Sequence, residues 1–555
     1  MVMIMAVLLL DRVISPRIYR PNPQPVPTQG QGQGGSPAGG SSSPATGAGS
    51  QTGAAPPAGT AGTAPPTSAL LSSGAALSNP EVAAAPTETR VLSTEHYRVT
   101  LTSDGATIAH YVVDSYKDEI RNEPLDLVLP GGKAFPIVVE YGSKALDFSK
   151  APFRIVQDDP ASGVVGFEAQ DVSGVRVVKT YKVGHDRRLL DADVHVSAPA
   201  ALGPIRYRIG WGTPLPITEH ASLKRDGPKA VALLGTKLEE IPASKLGPNG
   251  EKPLSGNVRW VANRNKYFIA AVIPDSGTVS DVVFRDAGSG LVTCLLAGAA
   301  PPGAELVRHT RIYGGPIHYE TVASIGAGLD EVANLGPKWM RGIGVLLLKC
   351  LNLLHRMIPN YGVAIVLLAA ATKFLFYPLT QSSLRSMKVM HHLQPQIKEL
   401  QEKHKNDPMK LNQAMMALYK ENNVNPMSGC LPMLLQIPVF FGLYNVLLYS
   451  IELRASNFIG YIRDLSAPDV LMTVAGFQIH LMPVIMTGST YLLQSQTPVA
   501  PAQKGMMYVM PLFMLFFMYS FPSGVVLYWT VNNLLSALQQ YLVNLAEDRR
   551  MAAQA

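Results

Sequence analysis

From Trp339 to Leu545 the chain carries five apolar segments, each near the roughly 20 residues that a helix needs to cross a bilayer. Such recurrence makes this a polytopic α-helical membrane protein, with spans expected at about 360–380, 430–450, 470–494, 506–521 and 525–545. The first, NYGVAIVLLAAATKFLFYPLT (Asn360–Thr380), places a charge, Lys373, inside its apolar run. A charged side chain at the membrane centre costs about 3 kcal/mol or more, so it usually faces a bundle interior or a water-filled cavity. The competing reading is a lysine near one end of the span that snorkels its ammonium to the headgroups.

The rest of the chain is different in kind. Its 555 residues are 47% hydrophobic overall, but up to about residue 320 the sequence is polar and built from short alternating runs, so that figure averages two unlike halves. The net charge of +7 does not imply nucleic-acid recognition, because the lysines and arginines form no stripe interleaved with aromatics. Cys294, Cys350 and Cys430 lie in separate segments with no metal or redox spacing and read as small buried side chains.

Taken in order, residues 1–20 open with MVMIMAVLLL, too short to span, and read as a truncated signal-anchor segment. Residues 21–89 are almost wholly Pro, Gly, Ser, Ala, Gln and Thr, a composition expected to stay disordered as a tether. Residues 90–320 have period-two patterning: HYRVTLT and ATIAHYVVD flank the turn TSDG, and VRVVKTYKV and LLDADVHVS flank GHDR. Many such strands imply an all-β sandwich. It carries no hydrolase, metalloprotease or phosphate-loop motif, so a scaffold or interaction domain is expected, and the chain is read as not an enzyme. A short helical stretch, IHYETVASI, follows. Residues 338–358 then set Lys349, Asn352 and Arg356 on one side of a helix and leucines on the other, an amphipathic helix expected in the membrane interface.

Residues 381–425 are charged and helical, broken near Asn406, Asp407 and Pro408, and read as a helical hairpin. Seven basic residues (Arg385, Lys388, Lys398, Lys403, Lys405, Lys410, Lys420) stand against four acidic ones (Glu399, Glu402, Asp407, Glu421), which puts the hairpin in the cytoplasm and the β domain outside. Residues 546–555 are read as a cytoplasmic tail because the last span returns inward to Arg549 and Arg550, although Glu547 and Asp548 offset those arginines and leave the tail without a positive excess.

Two spans carry stripes. In the last, Trp529, Asn532, Asn533, Ser536 and Gln540 recur at helical spacing and give a polar face that either lines a cavity or bonds to neighbouring helices. In the fifth segment from Trp339 counted with the interfacial helix, Met507, Met510, Met514 and Met518 make an adaptable apolar stripe, suited to varied partners or to lipid. Lys373, Gln436, Trp529, Asn532, Asn533 and Ser536 are therefore the candidate polar groove, and Phe440, Met507, Met510 and Met514 its candidate apolar contacts.

TKFLFYPLT, MMALYKENNVNPMSGCLPMLLQIPVFFGLY and FPSGVVLYWTVNNLLSALQQ, in this order, resemble the YidC/Oxa/Alb family of membrane protein insertases, and the match is nearest to its Gram-negative bacterial members. The likeness covers residues 339–545, and RWVANRNKYFIAAVIP resembles the large periplasmic domain of those members. It implies a five-helix core around a hydrophilic groove, a periplasmic β-supersandwich and a substrate-receiving cytoplasmic hairpin, in a multi-pass protein of the bacterial inner membrane with a cytoplasmic carboxy terminus. The implied partners are nascent membrane proteins, the Sec translocon, the ribosome and targeting machinery, and the lipid bilayer; no cofactor or metal is implied. Lys373 replaces a usual arginine, Ala369 a frequent threonine and Trp529 a frequent tyrosine, and the tail lacks the long basic extension expected for strong ribosome docking. The other classes open to these residues are a secondary transporter using Lys373 as a substrate or proton site and a structural membrane assembly factor.

Overall fold

The computed structural model describes residues 76–218, 227–241, 245–246, 250–288, 291–422, 431–474, 476–496 and 504–554. The expected anchor at 1–20, most of the tether and Cys430 lie outside them. The tether reading ends early, because Ala76–Ser78 already pairs in parallel with Lys144–Asp147, and Val82 bridges Asp171. The Glu81 N–H donates to the Asp171 carboxylate at 2.7 Å.

Alternating residues build the β domain as expected. Arg98–Thr102 pairs with Thr107–Lys117, and Arg176–Val183 with Leu189–Ser197, both antiparallel. Long-range pairing then assembles a nine-stranded and a seven-stranded sheet, with a four-stranded sheet beside them. Within the larger, Leu189–Ser197 lies against Leu306–Pro316, which in turn lies against Phe268–Pro274. Inward residues of the sheets, among them Phe135, Ile137, Phe167, Tyr181, Tyr207 and Trp211, form one buried core. Removing that apolar surface from water, at about 25 cal/mol per Å2, is what holds the domain.

The nine-stranded sheet uses its other face too. Leu233, Trp260, Ile269, Ile273 and Tyr313 join a second buried core that runs through helix α1 (Tyr319–Ile325) into the carboxy-terminal helices. These are α2 (Arg341–Met357), α3 (Tyr361–Leu375), α4 (Tyr377–His392), α5 (Gln394–Lys403), α6 (Pro408–Glu421), α7 (Leu431–Tyr449), α8 (Leu481–Ser495), α9 (Lys504–Met518) and α10 (Ser523–Gln554). Helix α2 buries Gly344, Leu347, Leu348 and Leu351 and leaves Lys349 and Arg356 exposed, but Leu346, Leu353 and Met357 are exposed with them, so its outer face is mixed and not purely polar as the spacing implied. Polar contacts reinforce the joint. Arg454 donates to the Lys117 carbonyl at 2.7 Å and lies over the Phe268 ring, and Glu452 meets His318 at 3.4 Å.

Three helices depart from the expected spans. The 360–380 segment is two helices bent by 60° at Phe376, because Pro378 has no N–H to continue the ladder and starts a new helix instead. The 470–494 segment begins as a two-stranded hairpin, Met472–Val474 with Phe477–Ile479, and becomes helical only at Leu481. Helix α10 runs on to Gln554, so the expected tail at 546–555 continues a helix. Among the described residues, no single helix is both long and apolar enough to cross a membrane, although the bent pair Tyr361–Leu375 and Tyr377–Leu384 passes together. Of the expected 381–425 hairpin, residues up to His392 continue α4, residues 423–425 lie outside the described ones, and α5 and α6 make the break near 406–408, where Asp407 caps α6 at the Lys410 N–H and Pro408 lies in its first turn.

Candidate functional site

Helix α3 starts at Asn360, whose side chain accepts from the Val363 N–H at 3.1 Å while its amide donates to the Phe458 carbonyl at 3.1 Å. Gly362 then lies so close to the Phe458 ring that a Cβ there would overlap it. These contacts fix the rotation of α3. Helix α10 is fixed the same way from its own end, where the Ser523 hydroxyl donates to the Asp464 carbonyl at 2.8 Å and the Gly524 N–H to the Leu465 carbonyl at 2.9 Å. Both helices are thus pinned to the loop between α7 and α8, and they pack along each other.

This registration brings Lys373 to Ser536. The half-buried ammonium donates to the Ser536 hydroxyl at 2.7 Å, and Ser536 donates onward to the Asn532 carbonyl at 2.7 Å. Lys373 therefore sits against a neutral hydroxyl and has no carboxylate ion pair among the described residues. One turn away Gln436 on α7 donates to the Tyr528 hydroxyl at 2.9 Å. Trp529 meets the edge of Phe440 at 4.8 Å between centroids, so α7 and α10 share an aromatic contact beside the polar one. Lys373 and Ser536 thus meet between α3 and α10, with Asn532 entering through its carbonyl, and Gln436 and Phe440 meet Tyr528 and Trp529 between α7 and α10.

The remaining expected residues lie elsewhere. Asn533 is buried and turns to α8, donating to Thr490 at 2.8 Å and Ser489 at 3.2 Å, an interhelical tie of the kind small polar residues make in membranes. Met514 and Met518 are buried in the helical core and Met510 packs against it, while Met507 is partly exposed. Helix α9 packs chiefly along α8, away from the Lys373 contact. Tyr528 and the Ser489–Thr490 pair were not singled out from the sequence. Their only signal was polarity inside an apolar run, which Ser, Thr and Tyr give weakly.

A second polar cluster lies at the joint with the β domain. Burial pushes the Glu452 carboxyl above its ordinary value despite the neighbouring His318. Asn352 bonds both Glu452 and, at 3.4 Å, the Tyr361 hydroxyl, and His355 stacks on the Tyr361 ring at 3.7 Å.

Residues 353–550 match the family model described as 60Kd inner membrane protein, and residues 90–349 match the model described as YidC periplasmic domain. A relative named membrane protein insertase YidC, from Syntrophus aciditrophicus, is 34% identical over 499 residues, which is 85% of this chain and 89% of that one. The chain belongs to the YidC family. Another relative of that name, from Geobacter sulfurreducens, is 33% identical over 473 residues, 81% of this chain and 85% of that one. A third, from Chlorobium limicola, is 32% identical over 482 residues and 81% of each chain. A solved YidC insertase structure with its first transmembrane domain resolved is 18% identical over 83% of this chain and 94% of that one, at a TM-score of 0.35, too low to speak to the arrangement of parts. YidC membership gives the chain its coarse plan: a β-rich periplasmic domain, a helical carboxy-terminal core and an inner-membrane location. The relatives' names describe insertases rather than enzymes or transporters.

Proposed function

We infer that this chain is a membrane protein insertase that works through the polar face shared by α3, α7 and α10. The single observation that carries the mechanism is the Lys373–Ser536 contact: a charge held on a membrane helix by a neutral partner, and so able to attract a second, negative one. The substrates are nascent membrane proteins, met first by the exposed basic hairpin of α5 and α6 on the cytoplasmic side. A short hydrophilic tail is drawn to the groove, where polar side chains replace part of its hydration and Lys373 favours acidic residues; the apolar segment passes to lipid. The β domain lies in the periplasm, five spans surround the groove, and the carboxy terminus is cytoplasmic. The protein acts alone or beside the Sec translocon, with weak tail contact to the ribosome, and no cofactor enters the reading.

The test is in vivo insertion of one single-span substrate carrying an acidic, a neutral or a basic tail. Lys373→Arg should preserve insertion of all three, because the charge remains. Lys373→Ala should impair the acidic tail most, and Lys373→Glu should repel it while sparing the basic one. Equal loss for all three tails would remove the electrostatic mechanism.

A further inference from the structure

The hairpin Met472–Val474/Phe477–Ile479 has no counterpart in the insertion mechanism. Its register pairs Met472 with Ile479 and Val474 with Phe477, so these four side chains share one face, while Thr473 and Gln478 share the other. All four apolar residues are exposed, Phe477 at 79%. A two-stranded ribbon of this size is at best marginal in water, and an uncovered apolar face is not what a soluble hairpin presents.

Its base is nevertheless firmly held. The Asp469 carboxylate accepts from the backbone N–H groups of Leu481 and Met482 at 2.8 and 2.9 Å, capping α8, and from the Tyr461 hydroxyl at 3.0 Å. The Leu471 N–H donates to the Ile479 carbonyl at 2.9 Å, and the Tyr519 hydroxyl, just beyond α9, donates to the Gln478 carbonyl at 3.0 Å. The ribbon is therefore a rigid projection from the ends of α8 and α9.

Three features identify what covers the apolar face. From Val470 to Gln503 the sequence holds no Asp, Glu, Lys or Arg, which a water-facing ribbon would carry on its edges. The helices from whose ends the ribbon projects carry exposed apolar residues of their own, among them Val484 and Ile485 on α8 and Phe513, Phe516 and Phe517 on α9. The outer edges of the two strands leave N–H and C=O groups that hydrocarbon cannot satisfy, so the ribbon belongs at the boundary of headgroups and acyl chains rather than deeper. We propose that this hairpin is an interfacial wedge whose Met472, Val474, Phe477 and Ile479 face lies in the phospholipid leaflet on the side of the β domain, holding the outer ends of α8 and α9 at a fixed depth. The proposal rests on the reading of α9 as a membrane helix.

A photo-crosslinking phenylalanine analogue placed at Phe477, in the intact protein reconstituted into vesicles of phosphatidylethanolamine and phosphatidylglycerol, tests it by mass spectrometry. Phe516, 85% exposed on α9, serves as the membrane reference, and Val172, 77% exposed on the β domain, as the aqueous one. The expected result is a phospholipid adduct at Phe477 comparable to that at Phe516 and about tenfold above that at Val172, as an interfacial element requires. Adducts at Phe516 with none at Phe477, or crosslinks from Phe477 to substrate or to a second copy of the chain in place of lipid, would overturn the wedge alone. Absence of lipid adducts at both Phe477 and Phe516 would instead overturn the membrane reading on which it rests.

Discussion

Two lysines show how differently the two halves of the molecule treat a buried charge. Lys179 is fully enclosed in the β domain and donates to three backbone carbonyls, Gly105 and Ala106 at 3.2 Å and Phe135 at 2.8 Å. Lys373 is half-buried between helices and donates to a side-chain hydroxyl. Backbone acceptors belong to the fold and cannot leave, whereas a serine hydroxyl can rotate away. The same contrast recurs nearby: Tyr181 bonds the Ala106 carbonyl at 2.7 Å, while Gln436 bonds the Tyr528 hydroxyl. Polar groups at these positions bond to backbone in the β domain and to other side chains between the helices, a difference that substitution can probe.

The largest expected effect is at the backbone-bonded lysine. Lys179→Ala leaves a cavity and three carbonyls without their donor, and should cost the full-length protein about 3–5 kcal/mol, read as a lowered melting midpoint. Lys373→Ala removes the same atoms and should change the midpoint by less than about 1 kcal/mol equivalent, because water can take its place. Equal losses would erase the distinction between the regions. Next comes Gly362→Ala, which tests whether the helical region is packed tightly at its outer end. The added methyl overlaps Phe458, so a loss of about 1–3 kcal/mol is expected in the same assay.

A smaller effect concerns the joint. The folded protein holds the Glu452 carboxyl above its unfolded value, so the fold favours the protonated form. That contribution is present below the unfolded value and is lost as pH rises through the folded one. Glu452→Gln should therefore gain in melting midpoint relative to the parent as pH is raised from 4 to 8; a difference that stays flat with pH would show the carboxyl to be unperturbed. Smallest is Ser536→Ala, expected to leave stability within about 0.5 kcal/mol while lowering insertion of acidic-tailed substrates less than Lys373→Ala does. A larger stability loss would mean that the Lys373–Ser536 contact is structural.

Local pattern carried much of this architecture. The hairpins around TSDG and GHDR were legible because period-two alternation and turn residues lie side by side in sequence. The pairing of Leu189–Ser197 with Leu306–Pro316 was not, since nothing local marks partners so far apart. Val470–Ile479 read as membrane helix because a continuous apolar run has no period to separate strand from helix, and Gly476, at a φ of +84°, was its one turn signal. Within the candidate groove, spacing on α10 placed Trp529, Asn532 and Ser536 on a common side. It could not say that Asn533 turns to α8, because that depends on Ser489 and Thr490, which a single helix does not reveal.

The bend at Phe376 bears on how far the chain reaches across a bilayer. Helix α3 has 15 residues, so at 1.5 Å per residue it is about 22 Å long. The hydrocarbon layer is about 30 Å thick, and beyond a 60° bend each residue advances only about half as far along the original axis. Lys373 falls in the last turn of that short helix. The eight residues Tyr377–Leu384 add about 6 Å along that axis, so the bent pair reaches about 28 Å, close to the thickness of the layer. On the proposed reading of α3 as a span, Lys373 therefore lies just before the point where the chain turns toward the membrane plane.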